Sequence, residues 1–254
     1  MEKVQLIPIP DIPMVKPGDC LADVITSAID GAGLVLRTND VVVVAQKIVS
    51  KAEARYVSLE DVTPSESALA LAPEVDKDPR LVEIILGESR SVLRYRPGLM
   101  IVNHKLGFVM ANAGVDHSNL CPDAQDALVL LLPKDPDRSC ENLKKSLDER
   151  FACEVAVIIN DSVGRPWRIG TVGVALGVAG LPAVLDRRGE SDLFGRTLEV
   201  TQVGFADIVA SAASILMGEG DEGLPVVVVR GLDWSDPATG VAPLLREPEA
   251  DLFR

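Results

Sequence analysis

The chain has 254 residues, of which 47% are hydrophobic and 25% charged, values typical of a folded globular protein and not of a disordered one. Its formal net charge of −13 at pH 7 disfavours nucleic acid or an anionic membrane as a partner and makes any phosphate ligand depend on a cation or a local basic cluster. The absence of a signal-peptide pattern, of an uninterrupted apolar span and of C-x-x-C spacing among its four cysteines predicts a protein of the reducing cytoplasm.

Short runs rich in valine and isoleucine predict strands. Several of them are apolar on both faces, as expected of strands buried between helices or beneath a second sheet. The predicted strands span residues 4–9, 41–49, 99–103, 108–112, 155–160, 171–178 and 226–230.

Helix starts are predicted at the capping box Thr63-Pro64-Ser65-Glu66 and at Asp78-Pro79. The four-residue spacing of Leu143, Leu147 and Phe151 predicts an amphipathic helix before the strand at 155. A segment of small residues from 198 to 217 predicts a central or interfacial helix that ends at Gly218. The class is mixed α and β in one domain, 1–254, with an internal boundary near 134–139.

The standard nucleotide and hydrolase motifs do not describe this chain. It has neither a G-x-x-x-x-G-K-[ST] P-loop nor a G-x-S-x-G nucleophile elbow. The acidic stretch 218–223 matches G-x-G-x-x-G, but it follows a predicted helix and precedes a strand, which is the reverse of the dinucleotide-binding arrangement. The sequence therefore predicts neither a Rossmann nor a P-loop fold.

Three polar, glycine-bearing segments follow predicted strands or helices, at 112–119, 160–168 and 218–223. Asp161 and Ser162 offer the oxygen ligands that a hard cation prefers, and Arg165 and Arg168 could neutralise phosphate or carboxylate oxygens. Each acidic residue taken alone is more often the cap of a turn or helix.

The lysines and histidines are the remaining candidates for site residues. Lys47 and Lys51, on or just after the 41–49 strand, either point into a site or blunt an edge strand. His104 and His117 lie on different segments, so we expect them to face solvent and not to form a metal site or catalytic triad.

Together these segments resemble the coenzyme F(420)-0:L-glutamate ligase family. The matching stretches, which run almost the full length of the chain, are 12–19, 49–53, 112–116 with 118–119, 161–162 with 164–165, 188–196 and 217–220. Position 162 is Ser where the family commonly has Thr, which keeps the hydroxyl.

The resemblance implies the family's own α+β fold, a homodimer and the stand-alone form without a C-terminal flavin-binding domain. It implies metal ligands at Asp116, Asp161, Ser162 and Glu219, with Mg or Mn as the divalent ion and potassium also implicated. Guanine-nucleotide contacts are implied at Ile12, Pro13, Met14, Val15, Gln46, Lys47, Lys51, Asn119, Gly218, Glu219, Gly220, Asp221, Glu222, Gly223, Leu224 and Pro225.

The implied reaction joins L-glutamate to F(420)-0 through an acyl phosphate formed from GTP, with release of GDP and phosphate. The residues expected to act in it are Asp116, Asp161, Arg165 and Lys51. Three alternatives remain open at this point: a related GTP-dependent ligase with another acid acceptor, a non-catalytic nucleotide-binding protein, and a structural domain whose aspartates are only caps.

Overall fold

The computed structural model describes residues 3–117 and 128–253 and has an α+β fold. Its strands and helices are β1 Gln5–Pro8, α1 Leu21–Gly31, β2 Val41–Ala45, α2 Gln46–Ala52, β3 Tyr56–Ser58, α3 Glu66–Val75, α4 Pro79–Gly87, β4 Ser89–Arg96, β5 Leu99–His104, β6 Val109–Ala111, β7 Leu128–Leu130, α5 Pro136–Phe151, β8 Ala156–Gly164, β9 Thr171–Ala179, β10 Leu185–Asp186, β11 Gln202–Val203, α6 Phe205–Met217 and β12 Val226–Arg230. None of the described helices is both long and apolar enough to cross a bilayer.

A five-stranded mixed sheet, in the order β1-β12-β2-β8-β9, forms the centre of the fold. β2 and β8 are parallel, and the other neighbouring pairs in this sheet are antiparallel. Val42 and Val44 of β2 pack with α1, α2 and α5, whereas Val41 and Val43 pack with α6 on the opposite face. Each fully buried valine contributes roughly 1.5–3 kcal/mol to folding, so burial on both faces explains the uninterrupted apolar strand.

Smaller sheets surround this centre. β4, β5 and β6 form an antiparallel sheet that packs against α3 and α4, while β3 pairs with β7 and β10 pairs with β11. Cys20, Cys140 and Cys153 are free thiols, and Cys121 lies outside the described residues.

Helix α6 confirms the prediction of a central helix that ends at Gly218. Its small residues Ala206, Ala210 and Ala213 are buried against the sheet, and Gly218 has a positive φ of 68°. The predicted start at 198 is wrong, because α6 begins at Phe205 and β11 precedes it. β-Branched residues before Gly204 favour extended backbone, and glycine is a poor helix former.

The predicted strand 41–49 is wrong beyond Ala45, where α2 begins. After the valines of β2, the chain continues with Gln46, Lys47, Lys51 and Ala52, residue types with high helix propensity, and the backbone is helical there. Lys47 and Lys51 therefore lie one turn apart on the same side of a helix.

The predicted helix starts are largely confirmed. Asp78 caps α4 by accepting a hydrogen bond from the Arg80 backbone N–H at 2.8 Å. For α3 the cap is Ser65 and not Thr63, since the Ser65 hydroxyl accepts from the Ala68 N–H at 3.2 Å and Pro64 precedes the helix. The helix predicted from Leu143, Leu147 and Phe151 is α5, and its first turn includes Arg138 and Ser139.

His104 is buried, with only 2% of its surface exposed, so the expectation that it faces solvent is wrong; His117 is exposed as expected. Strand β5 points Met100, Val102 and His104 to the same inward side, as period-2 alternation requires. His104 Nδ1 accepts from the Leu106 N–H at 2.9 Å, which places the proton of the neutral ring on Nε2. Burial, aided by Lys105, Arg55 and Arg90, lowers the pKa of His104 to about 4.

His104 should make folding sensitive to acid. The pKa of His104 in the folded protein, about 4, lies below the ordinary 6.5. As pH falls, the unfolded chain therefore takes up this proton at a higher pH than the folded protein does. The free energy of unfolding should fall as pH drops from 6.5 towards 4, by up to about 3 kcal/mol. Urea titrations across this range should show that His104→Gln removes this contribution and His117→Gln retains it. An equal pH dependence in the wild type and His104→Gln would contradict the prediction.

Candidate active site

A cleft of about 350 Å³ lies at one edge of the five-stranded sheet. It forms where the carboxyl ends of the parallel neighbours β2 and β8 meet, the usual place for a ligand in such sheets. Its lining includes most of the residues predicted for the site, namely Ile12, Pro13, Met14, Val15, Gln46, Lys47, Lys51, Asp161, Ser162, Gly218, Glu219, Gly220, Asp221, Gly223, Leu224 and Pro225. A hollow of about 420 Å³ beside α5 is lined by none of them.

Asp161 and Ser162 lie within β8, which continues to Gly164, and not after the end of the strand as predicted. The ladder between β8 and β9 shifts register between Ile159 and Asn160, just before these two residues. Burial raises the pKa of Asp161 to about 6. The Ser162 N–H and Lys47 oppose this rise in pKa, and the charges of Asp116 and Glu219 add to it. Three acidic groups therefore act on one another at this edge.

Glu219 is held by hydroxyl groups from two strands. Ser162 Oγ donates to Glu219 Oε1 at 2.6 Å, and Thr171 Oγ1 donates to the same oxygen at 3.4 Å. Sequence reasoning missed Thr171, because its closeness to Ser162 follows from the β8–β9 register, in which Gly164 is paired with Thr171. Ala45 and Ile48, which also line the cleft, were not predicted either. Asn160 and Met217 line it too; they fall in the predicted segments 160–168 and 217–220 but were assigned no role of their own.

The two lysines of α2 line the cleft, which decides between the two roles left open for them. Lys47 Nζ lies 2.7 Å from Asp116 Oδ2, and the Lys47 and Asp116 side chains are 30% and 28% exposed. Lys51 is only 7% exposed, and burial followed by the charge of Lys47 lowers its pKa. The cleft thus places a pair of amines opposite its carboxylates.

Glu222 does not line the cleft, because its side chain folds back on its own loop. The Gly220 N–H donates to Glu222 Oε2 at 2.8 Å, and backbone hydrogen bonds lower the pKa of Glu222. A Cβ at position 218 would lie 2.0 Å from the Glu222 carboxyl carbon, so this arrangement requires Gly218.

Three other predicted residues, Asp116, Arg165 and Arg168, are not part of the cleft lining, although Asp116 contacts Lys47, which is. Arg165 is exposed after β8 and does not line the cleft, and the neighbouring Arg168 is likewise exposed. The role expected of Arg165 stays a prediction, and Asn119 lies outside the described residues.

Within residues 3–117 and 128–253, no three His, Cys, Asp or Glu side chains are grouped closely enough to hold a metal ion. The chemistry of the predicted set nevertheless suits Mg or Mn, since Asp116, Asp161, Ser162 and Glu219 all offer oxygen. Asp161 loses hydration and has two acidic neighbours, a situation that a divalent cation would relieve. The ligand set itself stays a prediction.

Comparison with known proteins gives the same family by two routes, a family model and individual relatives. Residues 10–231 match the model of the family described as F420-0:Gamma-glutamyl ligase. A coenzyme F420:L-glutamate ligase of Methanothermobacter thermautotrophicus is 47% identical over 253 residues, covering 99% of each chain. Relatives with the same name from Methanopyrus kandleri and Archaeoglobus fulgidus are 43% and 40% identical, covering 99% of this chain and 98% and 97% of theirs.

Removing the charge of Asp161 should stabilise the protein in metal-free buffer. The folded pKa of about 6 lies above the ordinary 3.8, so the stability that this group contributes at low pH is lost as pH rises through 6. Asp161→Asn keeps an oxygen to accept from the Ser162 N–H and should raise the free energy of unfolding at pH 8 by up to about 3 kcal/mol. Urea unfolding measures this, with Asp23→Asn on the exposed side of α1 as the control. A less stable Asp161→Asn would refute the prediction.

Proposed function

The chain belongs to the F420-0:gamma-glutamyl ligase family, and from that premise we propose that it adds L-glutamate to coenzyme F420-0 at the expense of GTP. One observation supports this assignment above others: the amines of Lys47 and Lys51 and the carboxylates of Asp161 and Glu219 line the same cleft. Reactions that transfer a phosphoryl group need both signs of charge, cations for the phosphates and oxygen ligands for a metal ion.

GTP would lie along the lining already described. Residues 12–15 and 223–225 supply backbone and apolar surface, which suits a nucleoside. Lys47 and Lys51 would face the phosphates and offset the repulsion expected from a chain of net charge −13. Because Lys51 is largely buried, its attraction for a phosphate is weakened little by solvent.

The chemistry requires an activated acid. A carboxylate oxygen of the acceptor attacks the γ-phosphorus of GTP, and GDP leaves. The glutamate amine then attacks the acyl carbon of the resulting acyl phosphate and loses a proton, and inorganic phosphate leaves as the amide forms. Lys47 and Lys51 would hold the phosphate oxygens during both steps, and no covalent protein nucleophile is needed.

Asp116, Asp161, Ser162 and Glu219 would hold Mg or Mn, which when bound supplies positive charge to the phosphate oxygens. The chain's own part is to keep these oxygens together. Ser162 Oγ fixes Glu219, and Lys47 fixes Asp116 until ligands arrive. Potassium enters this proposal only through the family resemblance.

A homodimer is also proposed. Trp167, Ile169, Leu193, Phe194 and Val200 are each more than four-fifths exposed and lie in the two segments 165–170 and 187–200. Large apolar side chains at this level of exposure are typical of surfaces covered by another chain.

The reaction can be tested with purified protein, F420-0, L-glutamate, GTP and Mg²⁺, with products resolved by mass. We expect stepwise glutamate additions with GDP and phosphate, no product in chelator, and recovery on adding Mg²⁺ or Mn²⁺. Asp161→Asn should lose about 100-fold or more of the turnover while staying folded, since one charged group at the reacting phosphate is removed.

Asp23→Asn serves as the matched control and should keep wild-type turnover. Unchanged F420-0 would favour a related ligase with another acid acceptor. Near-normal turnover in Asp161→Asn, or activity without divalent metal, would refute the proposed role of the carboxylates.

The dimer predicts a change of mass on substitution in the exposed segments. Phe194→Glu should convert the dimer to a monomer in sedimentation experiments, because a charge cannot be buried there without a partner. Leu69→Glu, at an exposed apolar site on α3, should leave the dimer intact. A monomeric wild type would refute the proposal.

A further inference from the structure

The acidic residues of the cleft come from separate elements that need a fixed spacing. Asp161 and Ser162 belong to β8, whereas Glu219 follows the end of α6 at Met217. The Ser162–Glu219 hydrogen bond joins two side chains at the exposed end of this arrangement and cannot by itself set the position of the helix. A fixed spacing between Asp161 and Glu219 therefore needs a buried contact between β8 and α6.

Asn160 makes such a contact one residue before Asp161. It is 5% exposed, and its Nδ2 donates to Ser214 Oγ at 3.0 Å and to Met217 Sδ at 3.4 Å, both on α6. Ser214 Oγ donates in turn to the Ala210 carbonyl at 3.0 Å, which leaves it able to accept from the amide. The amide thus connects β8 to the last turn of the helix that precedes Glu219.

Gly173 of β9 provides the space for this contact. A Cβ at 173 would lie 2.2 Å from Ser214 Oγ and 2.6 Å from Asn160 Oδ1, distances that real side chains do not adopt. The strand, the amide and the hydroxyl are therefore packed against one another with no room for a side chain at 173.

The contact is not explained by stability alone. Asn160 Oδ1 is buried and has no hydrogen-bond partner among the described residues, and an unpaired buried acceptor costs free energy. An amide kept in such a place suggests a role in geometry, since buried polar groups can select one arrangement of packed elements at a cost in stability.

We propose that Asn160 is a positioning residue, which anchors the end of α6 through Ser214 and Met217 and so sets the place of Glu219 relative to Asp161 and Ser162. The part that concerns metal binding rests on the proposed function. The part that concerns the position of the loop after α6 does not.

The test uses Asn160→Ala and Ser214→Ala in the full chain. Exchange of backbone amides with deuterium in residues 218–223, in metal-free protein, reports how firmly the loop after α6 is held. Electron paramagnetic resonance of free Mn²⁺ reports affinity for the ion. We expect faster exchange in 218–223 and about 10-fold weaker Mn²⁺ binding in each variant, the usual size of effect for residues that orient ligands. The double variant should lose no more than Asn160→Ala alone, because that substitution already removes the contact with Ser214 together with the one with Met217.

Asn142→Ala and Ser146→Ala are matched controls on α5. Asn142 is exposed, and Ser146 Oγ donates to the carbonyl four residues earlier at 3.2 Å, as Ser214 does. Neither control should change exchange in 218–223 or Mn²⁺ binding. If Asn160→Ala does not fold, Ser214→Ala gives the answer, since alanine favours a helix.

Two outcomes would overturn the proposal. One is unchanged exchange in 218–223 in the variants that fold. The other is Mn²⁺ affinity within about two-fold of a wild type that binds Mn²⁺. A wild type that binds no Mn²⁺ would instead refute the metal site of the proposed function, and the exchange data would still decide whether Asn160 positions the loop.

Discussion

Burial of both faces of the five-stranded sheet is the constraint on which the rest of the molecule depends. With α6 on one face and α1, α2 and α5 on the other, the middle of β2, β8 and β12 accepts only apolar residues. Polar side chains are tolerated where these strands emerge from the two layers. Because β2 and β8 are parallel neighbours, they emerge at the same edge, and the cleft forms there. The position of the site is therefore a consequence of how the core is closed.

The same burial makes the site costly. Asp161 loses hydration next to two other acidic groups, and its pKa rises for that reason. The charge of Lys47 and the backbone N–H of Ser162 offset part of this cost. An acidic group kept under such conditions is typical of a site that trades stability for ligand binding. The excess of negative charge on the chain adds to this cost, because it would repel the phosphates of the proposed nucleotide. Lys47 and Lys51 are the cationic side chains of the cleft that would offset this repulsion.

Sequence reasoning identified the strands and most of the cleft but not the relations that depend on register. The valine runs and the glycine at 218 predicted β2, β12 and the end of α6, because hydrophobic periodicity and helix termination are local properties. Thr171 was missed since its pairing across β8 is not a local property. Lys47 was assigned to a strand because the valine run gave no signal of where it yields to a helix. His104 was expected to face solvent, although the alternation of buried and partly exposed residues along β5 points its side chain inward.

The contacts of the cleft differ in how readily they can be exchanged. Lys47 on Asp116 and Ser162 on Glu219 are side-chain contacts at partly exposed positions, and each can give way to a ligand without moving the backbone. The contacts of Asn160 with α6 are buried and tied to the strand and helix themselves. The proposed binding and release of a charged nucleotide needs both kinds of contact: exchangeable partners for the charges and a fixed arrangement of strand and helix beneath them. Because backbone spacing is set by the buried contacts, the acidic side chains can change partners while the distance between their elements stays the same.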